Sequence, residues 1–231
     1  MDVLPSESTK RLVDRQRITG AYVAKCFVDL SWSARGDYVV AGAYIASETK
    51  WARFEVDWSK VLREAGVTAF HATDFYSGRG EFSHVPPASA RHNELSQRFT
   101  QVAAAHAGYG FATGFHRATF DAAVGPALER AKVPHDRLTA EMLLVGSLLA
   151  HVASHTLAPF PGVVADVVIE EGTGMGSVIT YLEMHRSVER NILGLFTTFT
   201  RGSKAVLPLQ AADLFTHEAW RDIERIARQD T

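Results

Sequence analysis

Val163-Val164-Ala165-Asp166-Val167-Val168-Ile169 is a continuous apolar run broken only by Asp166. β-Branched residues without alternation describe a strand covered on both faces, as in a sheet flanked by helices. The neighbouring stretches supply those helices. Upstream, residues 136–155 form a long and mostly apolar segment, whose Leu143-Leu144-Val145 and Leu148-Leu149 suit packing deep against a sheet. Downstream, Glu170-Glu171 closes the run, Gly172-Thr173-Gly174-Met175-Gly176 turns the chain, and residues 178–190 read as a further helix.

Earlier in the chain the pattern is extended. Residues 21–29 are rich in β-branched and aromatic side chains and stop at Asp29, before the polar stretch 31–36. Residues 37–46 form a second apolar run, interrupted by Gly42, and a hairpin is its economical pairing with the first. Residues 51–56 continue this meander as a third strand, 59–65 form a short helix ended by Gly66, and 67–70 are briefly extended before His71. A Gly- and Pro-containing loop spans 77–87, followed by a helix over 89–107, a strand over 109–116 and a helix over 120–132. Near the C-terminus Pro208 opens a helix on which Ala212, Phe215, Ala219, Ile223 and Ile226 recur at steps of three and four. Strands first, then strands alternating with helices, predict one α/β domain over 1–231, with a mixed sheet and residues 1–20 as a polar extension.

Composition narrows the function classes. The 231 residues carry a formal net charge of −2, so no global field draws the chain to nucleic acid or acidic membranes, and phosphate binding must come from a local patch or a metal. One cysteine, Cys26, cannot form an internal disulfide, and residues 1–20 lack the apolar core of a signal peptide. With no run of eighteen apolar residues either, the expectation is a cytoplasmic protein without a membrane partner.

Asp29 and Glu170 close strands, and Asp213 borders the apolar stripe of the last helix. Ligand sites in open α/β sheets collect beyond the carboxyl ends of strands, so the three acids are expected to converge there. Converged carboxylates repel one another and invite a hard divalent cation, Mg²⁺ or Mn²⁺, which suits two-metal phosphodiester hydrolysis. His71 with Asp74 three residues later can supply a general acid/base or a metal ligand, or simply fix the loop. His151 and His155 have a helical zinc-ligand spacing, but Val152 stands where a hydrolase needs Glu. Gly172-x-Gly174-x-Gly176 can cradle a phosphate, although Ser177 departs from a dinucleotide fingerprint and a tight turn is the better reading. Arg186, Arg190, Arg201 and Lys204 can meet phosphates or simply solvate a helix face and a loop.

The order of Asp29 at a strand end, then Phe70-His71-Ala72-Thr73-Asp74, then Leu209-Gln210-Ala211-Ala212-Asp213 resembles the domain-of-unknown-function 3800 family over roughly residues 21–225. The Leu-Gln-x-Ala-Asp signature is its most specific part. The resemblance implies a ribonuclease H-like fold and a metal-dependent nuclease. It matches Asp29 to the family's first acid, Asp213 to its last, His71 to the middle-motif histidine and Glu170, beside Glu171, to the remaining strand-end acid. The family shows Asp-Glu-Ser/Thr after the first strand where this chain has Asp29-Leu30-Ser31. Two classes follow: a divalent-metal nuclease using Asp29, Glu170, Asp213 and His71, or a catalytically inactive relative that binds nucleic acid or a protein partner.

Overall fold

The computed structural model describes residues 22–32, 37–130, 139–172 and 175–229. Five strands make one sheet: β1 (Tyr22–Trp32), β2 (Tyr38–Ser47), β3 (Tyr109–His116), β4 (Val163–Glu170) and β5 (Phe196–Gly202), in the order β3-β2-β1-β4-β5. β1 pairs antiparallel with β2 and β2 with β3, whereas β1–β4 and β4–β5 are parallel. The sheet is therefore mixed and flanked by helices, and β1 has neighbours on both sides, as its apolar run requires. Lys25 does not disturb this, because its ammonium reaches Glu48 at 3.1 Å and is well exposed.

The meander ends sooner than its residue types suggest. Residues 51–56 are not a third strand but part of α1 (Glu48–Ala65), which also absorbs the short helix expected over 59–65. Trp51, Phe54, Trp58, Val61, Leu62 and Ala65 are its buried residues, at helical steps, while Val56 is 68% exposed. Ser47 caps the helix by accepting from the Lys50 amide, and Gly66 ends it at φ 74. Residues 67–70 form no strand either. The Val67 amide bonds back to the Leu62 carbonyl, and the chain runs into α2 (Ala72–Ser77) with His71 at its N-cap position.

The remaining helices are α3 (Ala90–His106), capped by Ser89, α4 (Arg117–Arg130), α5 (Ala140–Val152), α6 (Met175–Arg186) and α7 (Leu207–Gln229). The parts of the expected helices at 131–132 and 136–138 lie outside the described residues, as do 1–20 and the turn residues 173–174. α5 packs on β2 and β3 and continues into a wider turn, Ala153–Leu157. By length and composition alone Ala140–Leu157 could cross a bilayer, with a mean hydropathy of 1.2, and half of it is buried against the protein. β5 was not anticipated. It is an edge strand with only Phe196, Phe199 and Gly202 buried, so it lacks the alternation of a half-buried strand.

The sheet has two differently built faces. Val28, Val145, Leu148, Leu149, Val152, Val167 and Ile169 belong to an aliphatic core under α5 and α6. Trp51, Phe54, Trp58, Phe70, Phe75, Phe82 and Phe99 belong to an aromatic core between the opposite face and α1, α3 and α7.

Candidate active site

Asp29 and Glu170 are brought together by strand register. Val28 lies beside Ile169 in the parallel β1–β4 pair, so the next residue on each strand is an acid. Two residues earlier Phe27 and Val168 pack against the aromatic core, so both acids point to the face that α7 covers. Gly42 is the β2 partner of Asp29, and a Cβ there would stand 2.2 Å from Thr216 Oγ1 of α7. The glycine that interrupts the second strand thus lets α7 lie down on the sheet beside Asp29.

α7 supplies the third acid. Pro208 to Leu214 are buried on every side, whereas Ile226, placed in the apolar stripe by its spacing, is 55% exposed. The buried first half forces its polar residues to find partners. Gln210 Oε1 accepts from Trp58 Nε1 at 2.8 Å and from the Phe70 amide at 2.9 Å, while Nε2 donates to the Lys204 carbonyl at 2.6 Å. One side chain thereby ties α1, the approach to His71 and the turn before α7. Asp213 Oδ2 accepts from the Ala72 amide at 2.9 Å and from Lys204 Nζ at 3.0 Å. Lys204 Nζ also stands 3.4 Å from Glu170 Oε1.

The electrostatics follow from this crowding. Burial raises the Asp29 carboxyl well above the usual range, helped by its hydrogen bond to Glu170 and by the charges of Asp213 and Glu170, with Lys204 opposing. A hydrogen bond between two carboxyl groups needs a shared proton. Burial pulls the Lys204 ammonium down, but Asp213, Glu170 and Asp29 more than compensate and hold it above the ordinary lysine value. The Lys204 ammonium therefore offsets part of the charge that the three acids bring together.

These groups line a cleft of about 270 Å³ together with His71, Glu171, Gly172 and Trp32. All four residues singled out by the sequence, Asp29, Glu170, Asp213 and His71, face it. His71 Nδ1 is 3.3 Å from Asp74 Oδ2, so the dyad forms, although it precedes a short helix and does not end a strand. Leu30, where an acid was expected by resemblance, is 8% exposed and packs in the aliphatic core on the other face. Its apolar character leaves the three-acid cleft intact.

Other candidates sort out differently. His151 and His155 lie with ring centroids 6.4 Å apart on the α5 side, away from the acids. Among the described residues no three His, Cys, Asp or Glu side chains stand arranged to hold a metal ion. At the acid cleft the Lys204 ammonium lies between two of the carboxylates; the donors, hard carboxylate oxygens at one cleft, fit a divalent cation in kind. Arg186 is engaged by Glu183 and the Thr197 carbonyl, Arg190 by the Ser187 carbonyl, and Arg201 lies against Gly176. Of the four cations weighed, Lys204 is the one paired with the acid cluster. Lys204 and Gln210 were the residues whose roles sequence reasoning missed. Their signals are slight: a lysine nine residues before Asp213, and an amide inside an apolar helix start. Compared with family models, curated proteins and solved structures, the chain matches none.

Proposed function

We propose that this protein is a ribonuclease H-like hydrolase that cleaves phosphodiester bonds with Mg²⁺ or Mn²⁺ held by Asp29, Glu170 and Asp213. The observation that carries the reading is the convergence of those acids from β1, β4 and α7 on one cleft. The fold assignment draws support from the antiparallel β1–β2–β3 meander, the parallel β4 and β5, and the central place of β1. When bound, the ions supply an activated water and stabilise the leaving oxygen. The chain's own part is positional. The sheet holds Asp29 and Glu170 rigidly, and the Ala72 amide orients Asp213. Asp74 holds Nδ1 of His71, leaving Nε2 to exchange a proton with the leaving oxygen of a nucleic-acid strand in the cleft.

Saturable Mn²⁺ binding and metal-dependent cleavage of RNA or DNA oligonucleotides are expected of the wild type, both lost in Asp213→Asn. His71→Ala should lower turnover by about a hundredfold, in the range of a lost general acid, with Mn²⁺ affinity nearly unchanged. Equal loss of metal binding would make His71 a ligand instead. A second reading, a non-catalytic protein that binds nucleic acid or a partner, is favoured by the Lys204 ammonium, which already pairs with Glu170 and Asp213. Metal indifference with retained oligonucleotide binding would select it.

A further inference from the structure

We infer that Lys204 is a built-in counter-cation of the acid cluster, which competes with a divalent ion for Glu170 and Asp213. The inference rests on the metal-binding reading above. It starts from geometry: one Nζ lies 3.0 Å from Asp213 Oδ2 and 3.4 Å from Glu170 Oε1, between carboxylates supplied by different elements. A divalent cation drawing on those oxygens meets the ammonium in the space it must enter, and two cations at contact distance from the same carboxylates repel.

The backbone around Lys204 cannot easily follow the ion. Gln210 Nε2 donates to the Lys204 carbonyl at 2.6 Å, so the Cα is anchored and only the flexible stem can move. The stem has somewhere to go. A second cavity of about 300 Å³ adjoins the cleft, lined by Lys204, His71, Asp74 and Glu81. Its two carboxylates, with Glu81 fixed by the Thr68 hydroxyl at 2.7 Å, offer the ammonium a replacement counter-charge. Swinging there would exchange the Lys204 pairing and vacate the oxygens of Glu170 and Asp213. Lys204 thus keeps the acids folded together without metal and lowers the affinity for the ion that displaces it.

Isothermal titration of Mn²⁺ into wild type, Lys204→Met and Lys204→Arg tests this, with circular dichroism to confirm folding. Removing the competitor should tighten Mn²⁺ binding at least tenfold in Lys204→Met, while Lys204→Arg, which keeps the charge, stays within about threefold of wild type. The metal-free melting temperature of Lys204→Met should fall, and Mn²⁺ should raise it by more than it raises that of the wild type. If Lys204→Met does not fold, Lys204→Gln carries the same comparison. Unchanged or weaker Mn²⁺ binding in the neutral variants, beside a wild type that binds, overturns this role and leaves the metal reading standing. Binding by the neutral variant alone supports the role and moves the wild type to the non-catalytic reading. Binding by neither overturns both.

Discussion

The two faces of the sheet use apolar residues for different ends. Under α5 and α6 the buried side chains are mostly aliphatic, Phe196 and Phe199 apart, and β4 buries the alternate residues Val163, Ala165, Val167 and Ile169 into them. On the other face large rings touch one another: Trp58 to Phe99 at 4.8 Å, Phe70 to Phe99 at 4.7 Å, Phe54 to Trp58 at 5.0 Å. That face also holds Asp29, Gln210 and Asp213, all under a tenth exposed. Aliphatic packing fills volume. Rings with few rotamers make a stiff frame, and Trp58 adds a donor that fixes an amide within it. The comparison teaches that the acids sit where the frame can hold polar groups at fixed distances, and that stability and geometry can be perturbed separately.

The largest expected effect tests the aliphatic face. Leu148→Ala, at a fully buried position, should cost about 2–5 kcal/mol in denaturant unfolding, with Mn²⁺ affinity per folded molecule unchanged. A changed affinity would break the division between the faces. Next comes Gln210→Leu, which strips the acceptor from Trp58 Nε1 and the Phe70 amide. About 3 kcal/mol is expected from two buried donors left unpaired, this time with loss of Mn²⁺ binding, because the Lys204 and His71 segments lose their common tie.

Gly42→Ala forces a methyl against Thr216 Oγ1 and should cost about 1–3 kcal/mol. Combining it with Thr216→Ala should recover part of that loss, and strict additivity of the two would show that α7 does not rest on this contact. The smallest effect concerns His217, buried and stacked on Tyr76 at 4.8 Å. Burial depresses its pKa against the pull of Asp213 and Glu218, with Arg221 and His71 adding to the depression. A depressed value means the unfolded chain binds the proton first. Its stabilisation is present above the unfolded value of about 6.5 and is lost as pH falls through the folded value. His217→Phe should therefore flatten the pH dependence of the urea-unfolding free energy below about pH 6.5, by less than about 1.4 kcal/mol per pH unit. An unaltered slope would assign the acid limb to other groups.

How much of this was visible in the sequence depended on which force decided each segment. β4 was legible because its β-branched run does form a strand, although only alternate residues of it are fully buried, and the Ser89-capped α3 because its cap and its period agreed. Residues 51–56 misled because aromatic content resembles a strand locally, whereas Trp51, Phe54 and Trp58 keep helical spacing over a longer window. β5 escaped because an edge strand with exposed Thr197, Thr198 and Thr200 has little apolar alternation to display. The sequence brought Asp29, Glu170, Asp213 and His71 to notice, and all four do face one cleft, although Asp29 lies inside β1, three residues before its end, and His71 precedes a helix. The role of Lys204 was not legible, since its partners lie on β4 and α7 and only the folded register brings them to it.

The Gln210 tie also has a consequence for the order in which the chain is made. A ribosome releases every other element described here before α7, and until residues 207–214 emerge, Trp58 Nε1 and the Phe70 and Ala72 amides lack their partners from this helix. The strip of sheet beside Gly42 then remains uncovered, and Asp29 faces no opposing carboxylate from that side. The cleft is consequently complete only once this helix has docked. A nascent chain carries its acids, but it has no pocket to use them in until translation has passed Asp213.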